Sequence, residues 1–470
     1  MRGCGAVCLA ATVPALAGAR TWTPGEGRPG PADRRFQSAA IEAVITRVKA
    51  QIADPVLAAM FERCFPNTLD TTVFPGTLDG EPDTFVITGD IDAMWLRDSS
   101  AQVHPYVEFA KEDARLARLI AGVIRRQTRS ILIDPYANAF TRNTTDPPLS
   151  WSVKDQTDMK PGVAERKWEV DSLCYTIRLA HGYWRATGDT TVFDAAWKSA
   201  AMRIVSTFAE QHRLDDRGSY HFLRLTTDPY DTAALDGYGN RARPVGMIYS
   251  MFRPSDDACI YPLFVPGNLF AIRALEQLRE LNAATVADAR LGAACDQLLK
   301  SVRTAVERYG IVQHPEAGSI WAYEVDGFGN ALLMDDANAP GLVSLAYLGC
   351  ADVRGPLYQR TRRYVLSSSN PYFFTGAAAT GVGSPHTGFK NIWPMGIILR
   401  ALTSVDDGEI RQCLKWLRDT TAGTNFIHES FDANDPAQFT RPWFAWANTL
   451  FGELIVRLAK EKPQILRQTV

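Results

Sequence analysis

The sequence predicts an all-α domain in which about six helical hairpins form two concentric rings around a central pit. Three observations carry that expectation. Apolar residues recur at helical spacing through roughly a dozen runs. The runs come in pairs, and the pairs are joined by long loops rich in glycine, proline and aromatic residues. An open helical solenoid is the competing arrangement, but solenoid connections are short and regular, unlike these.

Residues 1–19 read as an export signal. Arg2 supplies a short positive region, Val7 to Leu16 are apolar, and Ala17-Gly18-Ala19 offers a small-x-small cleavage site. The expected location is therefore periplasmic or secreted, with an unstructured tail as the alternative reading of the same residues. Residues 20–35, rich in Pro, Gly and Arg, are expected to be a flexible linker. A single domain is expected over 36–462, with a short tail over 463–470. Its first helix shows in Phe36, Ala40, Ile41, Val44, Ile45 and Val48, which share one face. Further helical runs are expected near 53–65, 99–111, 113–131, 169–187, 190–213, 265–282 and 286–308, and then near 339–351, 355–368, 391–404, 407–420 and 442–460. Strand-like pieces such as Thr84–Ile87 and Ile320–Val325 are short and scattered.

Charge and cysteine usage exclude several functions. Lys+Arg is 50 and Asp+Glu is 52, so nothing draws a polyanion and nucleic acid is not an expected partner. Apolar stretches beyond the N-terminus are short and broken by charge, so no membrane span is expected. Of the eight cysteines, Cys4 and Cys8 fall in the export signal. The other six are far apart and form no CxxC pair, which leaves a zinc cage or redox motif without support. No metal or cofactor is expected.

Chemistry concentrates in four loops. The first, residues 88–99, sets Asp90, Asp92, Arg97 and Asp98 around Trp95. Capping of the following helix by Asp98 or Ser99 would explain one of these acids but not all of them. Asp90-x-Asp92 also matches a metal–nucleotide pattern, but only over three residues and with no Gly-rich phosphate loop. The second loop, 252–258, places Asp256 beside Asp257 and Arg253 between proline breaks. A carboxyl crowded and desolvated there can donate a proton near neutral pH; helix capping is the structural alternative. In the third, 383–394, His386 sits in a turn flanked by glycines, suited to a substrate hydroxyl or to a backbone hydrogen bond. The fourth runs from Asn425 to Asn448 and carries Glu429, Arg441, Trp443 and Trp446. Glu429 is a candidate general base, and simple pairing with Arg441 is its alternative.

This mixture of residues suits a sugar. Acids, Asn, Arg and His match vicinal hydroxyls, and Trp and Phe cover the apolar C–H face. Glycoside cleavage needs one carboxylic acid to protonate the leaving oxygen and a second carboxylate to activate water or to attack. Asp256 and Glu429 are the catalytic candidates. Asp92, Trp95, Arg97, Asp98, Asp257, His386, Arg441 and Trp446 are the candidates for holding the sugar.

On the strings 88–106, 165–175, 252–258, 385–397 and 428–455, the chain resembles glycoside hydrolase family 125, the metal-independent exo-α-1,6-mannosidases. The resemblance runs from about Phe36 to Leu458. It implies an (α/α)6 barrel, inversion of configuration, and release of terminal α-mannose, chiefly 1,6-linked, from N-glycan or mannan oligosaccharides without a metal. It puts the acid within Ser255-Asp256-Asp257, read here as Asp256 with Asp257 as the alternate, and the base at Glu429. It also implies that Arg97, Asp98 and His386 bind the terminal mannose. The rival readings are a non-catalytic glycan-binding protein and other toroid enzymes: a glucoamylase-like hydrolase, a polysaccharide lyase or a calcium-dependent α-mannosidase.

Overall fold

Helix caps and apolar stripes explain most of what the backbone does. In the computed structural model, which describes residues 27–470, α1 (Ala39–Lys49) starts where the Ser38 hydroxyl accepts from the Ile41 amide. Asp54 does the same for α2 (Pro55–Cys64), with Pro55 at the first helical position. Asp113, Asp194 and Asp288 cap α4 (Ala114–Ile133), α6 (Ala195–Glu210) and α9 (Ala289–Tyr309). These helices bury one stripe each; in α9 it is Leu291, Cys295, Leu298, Leu299, Val302, Ala305 and Val306.

A second group is buried on nearly every side. All residues of α3 (Leu96–Val103) are buried, as are most of α5 (Val170–Thr187), α8 (Val265–Ala284), α11 (Pro394–Leu402) and α13 (Ala445–Glu461). A helix apolar or occluded all round belongs inside. The inner helices follow one another in a circuit. α3 packs on α5, α5 on α8, α8 on the short turn Val343–Leu345, that turn on α11, α11 on α13, and α13 back on α3. Outside them, α4 spans α3 and α5, α9 lies on α8, α12 (Asp407–Asp419) on α11, and α2 on α13. Helix α10 (Pro356–Val365) covers the turn. The remaining helices, α7 (Ala234–Gly237) and α14 (Pro463–Leu466), are single turns. Strands are short and paired locally in two- and three-stranded sheets. The protein is thus mostly helical.

Two helical expectations are changed by the structure. Residues 339–351 form no long helix. The buried Asp335 carboxylate accepts from the Leu342 and Val343 amides at 2.7 and 2.9 Å, holding the chain as a tight turn. Residues 99–111 divide at His104 and Pro105 into the end of α3 and a 3-10 stretch. The tail over 463–470 is packed: Ile465 and Leu466 are buried, and Leu466 accepts from the Ala53 amide at 2.8 Å. The export signal expected over 1–19 and the first part of the expected linker lie outside the described residues. Within the rest of that linker, Arg28 is ion-paired to Asp70 at 2.7 Å and to Glu42 at 2.5 Å. Cys64, Cys174, Cys259, Cys295 and Cys413 are buried, Cys350 partly so, and all six are free thiols. Among the described residues no helix is long and apolar enough to cross a membrane.

Candidate active site

Ahead of each inner position the chain runs through a short irregular or strand segment, and these segments together line one pit of about 340 Å³. Trp95 stands before α3, with Arg97 and Asp98 in its first turn. Glu165 and Lys167 precede α5, and Asp256 and Asp257 precede α8. Asn338 lies before the 343–345 turn, and His386 and Trp393 before α11. Glu429, Arg441 and Phe444 lead into α13, which adds Trp446. The pit therefore opens at the N-terminal ends of the inner helices, where helix dipoles favour negative charge.

Neither capping alternative holds. The N-cap of α3 is Trp95 and that of α8 is Phe264, well beyond Asp256 and Asp257, and neither helix has a side-chain cap. The acids are thus free for the pit. Asp256 sits at a φ of 65°, a left-handed conformation that costs energy for a side-chain-bearing residue and turns the carboxylate inward. The buried Lys167 secures that backbone, donating to the Asp256 carbonyl and to Asp231 Oδ1, both at 2.7 Å. Asp256 Oδ1 accepts from Arg97 Nη2 and from Asn138 Nδ2, each at 3.3 Å. Burial raises the Asp256 carboxyl, but Arg97, Glu169, Lys167 and His386 outweigh it and hold the group well below the usual carboxylate range.

Arg97 is a buried hub. Its Nη1 donates to Glu169 Oε2 at 2.5 Å, and Asp98 and Asp171 lie 3.4 and 3.8 Å from its nitrogens. Burial pushes the Asp98 and Glu169 carboxyls up, and Asp171 up to about 7, with Arg97 opposing each shift. Asp257 is engaged differently: His386 Nδ1 lies 3.0 Å from its Oδ1, and Ser255 Oγ donates to Oδ2 at 3.2 Å. Burial would lower the His386 imidazole, but the Asp257 bond and the nearby Glu429 and Asp256 charges lift it to about 9.

The opposite wall is simpler. Glu429 precedes strand Ser430–Asp432, which pairs with Asn391–Ile392 and Phe439–Thr440. Thr440 Oγ1 donates to Glu429 Oε2 at 2.9 Å, and Arg441 Nη1 lies 3.4 Å from Oε1. The pairing with Arg441 thus exists, but both partners still face the pit. Arg441 is fixed in turn by Asp90 Oδ1, accepting at 2.6 Å, and by Thr88 Oγ1 at 3.2 Å. Gly89 allows this closure, because a Cβ there would meet the Trp443 carbonyl at 2.5 Å.

Of the ten candidates, nine line the pit; Asp92 does not. Its carboxylate is exposed at the surface, paired with Arg142 at 3.0 Å. Asp90, its neighbour in the sequence, braces Arg441 instead. His428 is structural, its ring stacked 3.8 Å from Phe439. The sequence assigned no role to Glu165, Lys167 or Glu169, although all three lie within the resembling string 165–175. Four charged residues in five before an inner helix were the available signal. Arg224 and Asp231 were missed too: Arg224 joins Asp155, Glu165 and Asp231 at 2.6–2.9 Å along one rim. Among the described residues, no group of three His, Cys, Asp or Glu is arranged to hold a metal ion.

Comparison with known proteins places this architecture. The sequence model of the family described as metal-independent alpha-mannosidase (GH125) matches residues 54–456. The chain belongs to that family. It is 41% identical over 462 residues to the meiotically up-regulated gene 157 protein of Schizosaccharomyces pombe, covering 94% of this chain and 90% of that one. A Streptococcus pneumoniae metal-independent α-mannosidase, solved in a non-productive complex with α-1,6-mannobiose, superposes with a TM-score of 0.86 at 39% identity. That match covers 91% of this chain and 100% of the other.

Proposed function

We propose that this chain is an inverting, exo-acting α-mannosidase on an (α/α)6 toroid. It removes terminal α-mannose, chiefly 1,6-linked, from N-glycan or mannan oligosaccharides. The observation that carries the reading is the meeting, in one enclosed pit, of carboxylates from two distant segments, Asp256–Asp257 and Glu429. The closed circuit of inner helices supports the toroid. Family membership supports the reaction class, and the α-1,6-mannobiose complex of the pneumococcal relative supports the linkage.

In this reading Asp256 protonates the glycosidic oxygen as the C–O bond breaks. Glu429 takes a proton from the water that attacks the anomeric carbon from the other face. Asp256 is favoured over Asp257 because its side chain reaches further into the pit, 23% exposed against 6%, while Asp257 is committed to His386 and Ser255. Arg97, Asp98, His386 and Arg441 offer hydrogen bonds to the hydroxyls of the terminal sugar, and Trp95 and Trp446 supply the apolar wall.

Assay of the purified protein on α-1,2-, α-1,3- and α-1,6-mannobiose, with and without a chelator, tests the assignment. The expected result is fastest cleavage of the 1,6-linkage, unchanged by chelation, with β-mannose the first product seen by proton magnetic resonance. First-formed α-mannose overturns inversion, and binding without cleavage favours a glycan-binding protein. Export belongs to the same proposal, and N-terminal sequencing of protein from the native host should find Arg20 at or near the mature end.

A further inference from the structure

The neighbourhood of Arg97 holds more acid than one cation can balance. Asp98, Glu169, Asp171 and Asp256 all lie within 2.5–3.8 Å of that single guanidinium. Arg97, Asp98, Glu169 and Asp171 are almost wholly buried. Even with Lys167 and His386 reaching Asp256, four ionised carboxylates around one guanidinium would leave uncompensated charge out of water, which is costlier than binding a proton. The hydrogen bonds indicate where a proton sits. Asp256 accepts from Arg97 and Asn138, with Lys167 on its own carbonyl. Glu169 Oε2 accepts from Arg97 and from Ser172 Oγ at 2.8 Å, but Oε1 receives nothing. Glu169 Oε2 and Asp256 Oδ1 lie on the two Nη atoms of that one guanidinium, at 2.5 and 3.3 Å, which sets the two carboxyls side by side, where each shifts the other's titration. Two carboxyls in contact can hydrogen-bond only if one carries a proton.

We infer that Glu169 is a positioning residue for the acid: a neutral carboxylic acid that shares one proton with Asp256 and supplies it when a sugar enters the pit. The inference rests on the assignment of Asp256 as proton donor. It resolves a conflict in that assignment, since a carboxylate held ionised by Arg97 has no proton of its own to give. When substrate displaces water from the pit, the Glu169 proton moves to Asp256 and then to the glycosidic oxygen, which leaves with the bonding pair of the C–O bond. The attacking water yields its proton to Glu429. Solvent then takes that proton and returns one to the Glu169–Asp256 pair, so protons and charge balance over a turnover. The titratable groups facing Glu169 are Arg97 from α3, Asp171 from the first turn of α5, Tyr220, and Asp256 from the loop before α8.

The test combines kinetics and infrared spectroscopy. Glu169→Gln keeps the shape and removes the proton. It should lower kcat on α-1,6-mannobiose roughly 10²-fold or more, at the lower end of what general-acid catalysis contributes. A mannoside with a good aryl leaving group should lose far less, and the alkaline limb of the pH profile should move to lower pH. Equal losses on both substrates with an unmoved alkaline limb would mean a structural role only and overturn the inference. Independently of activity, protein with 13C-carboxyl glutamate should show an isotope-shifted band of a neutral carboxyl near neutral pH. Glu453→Gln serves as the background strain for that measurement, because burial also raises Glu453. Absence of the band overturns the inference even if mannoside hydrolysis is confirmed. A band present in a protein that cleaves no mannoside would instead defeat the assigned function.

Discussion

The two acidic walls of the pit are built on opposite principles. The Asp256 wall is crowded: one guanidinium serves four carboxylates, a buried lysine clamps the backbone, and Asp256 itself sits in a left-handed conformation. The Glu429 wall is sparse, with one hydroxyl and one arginine on a carboxylate whose residue leads into the central strand of a three-stranded sheet. The contrast matches the two proposed tasks. A base need only be held and aimed at water, which a single cation and a hydroxyl achieve. An acid must hold a proton and release it, which requires neighbours whose charges oppose one another.

The largest effect should come from Glu429→Gln, which removes the proposed base with no neighbour able to replace it. Its kcat should fall toward the upper end of roughly 10²–10⁴-fold on every substrate, whatever the leaving group, as steady-state kinetics would record. A variant that keeps activity with good leaving groups would move the base elsewhere and erase the contrast between the walls. Asp256→Asn should lose a similar factor on α-1,6-mannobiose but much less on activated aryl mannosides. If Asp257→Asn behaves this way and Asp256→Asn does not, the acid lies one residue along.

Arg97→Ala should unfold more easily as well as lose activity, since it strands four buried or half-buried carboxylates. A loss of about 3–5 kcal/mol is expected in denaturant titration, the range for breaking a buried ion pair. Arg441→Ala, on the sparse wall, should cost clearly less stability. Comparable losses would mean that the walls differ in appearance only.

The His386–Asp257 contact gives a smaller, pH-dependent signal. His386 is raised from its unfolded value near 6.5 to about 9 in the folded protein. A raised folded value makes its stabilisation full below about pH 6.5 and lost as pH climbs through about 9. Thermal unfolding across that window should show the decline in wild type and a flatter curve in Asp257→Asn. The smallest effect belongs to Asp92→Asn. Its carboxylate is on the surface, so stability should stay within about ±0.5 kcal/mol and kcat/KM close to wild type.

The sequence made the lining of the pit more legible than its support. Trp95, Arg97, Asp98, Asp256, His386, Glu429 and Trp446 are bulky or charged residues bunched in loops, a local signal that needs no knowledge of packing. Asp92 shares that signal, and only the direction of the turn at 88–92 separates it from Asp90. Lys167, Glu169 and Arg224 carry the same chemistry, but their importance depends on partners 64 to 89 residues away for Lys167 and 72 for Glu169, pairings no local pattern displays. The outer helices were readable from single apolar stripes and aspartate caps. Residues 339–351 were misread as helix because Leu342, Val343, Leu345 and Leu348 have helical spacing. The tertiary contact from Asp335 overrides that periodicity.

The circuit of inner helices closes where α13 meets α3, and α2 lies against α13 from outside. Asp98 belongs to the first inner position and Glu429 to the last, more than three hundred residues apart. On the ribosome, therefore, Arg97 and its carboxylates emerge long before the segment that completes the pit. Until the residues of α13 are released, α3 lacks one of its two ring neighbours, and an apolar flank stays open to water or to a chaperone. The pit becomes complete in one late step, when α13 docks against α3.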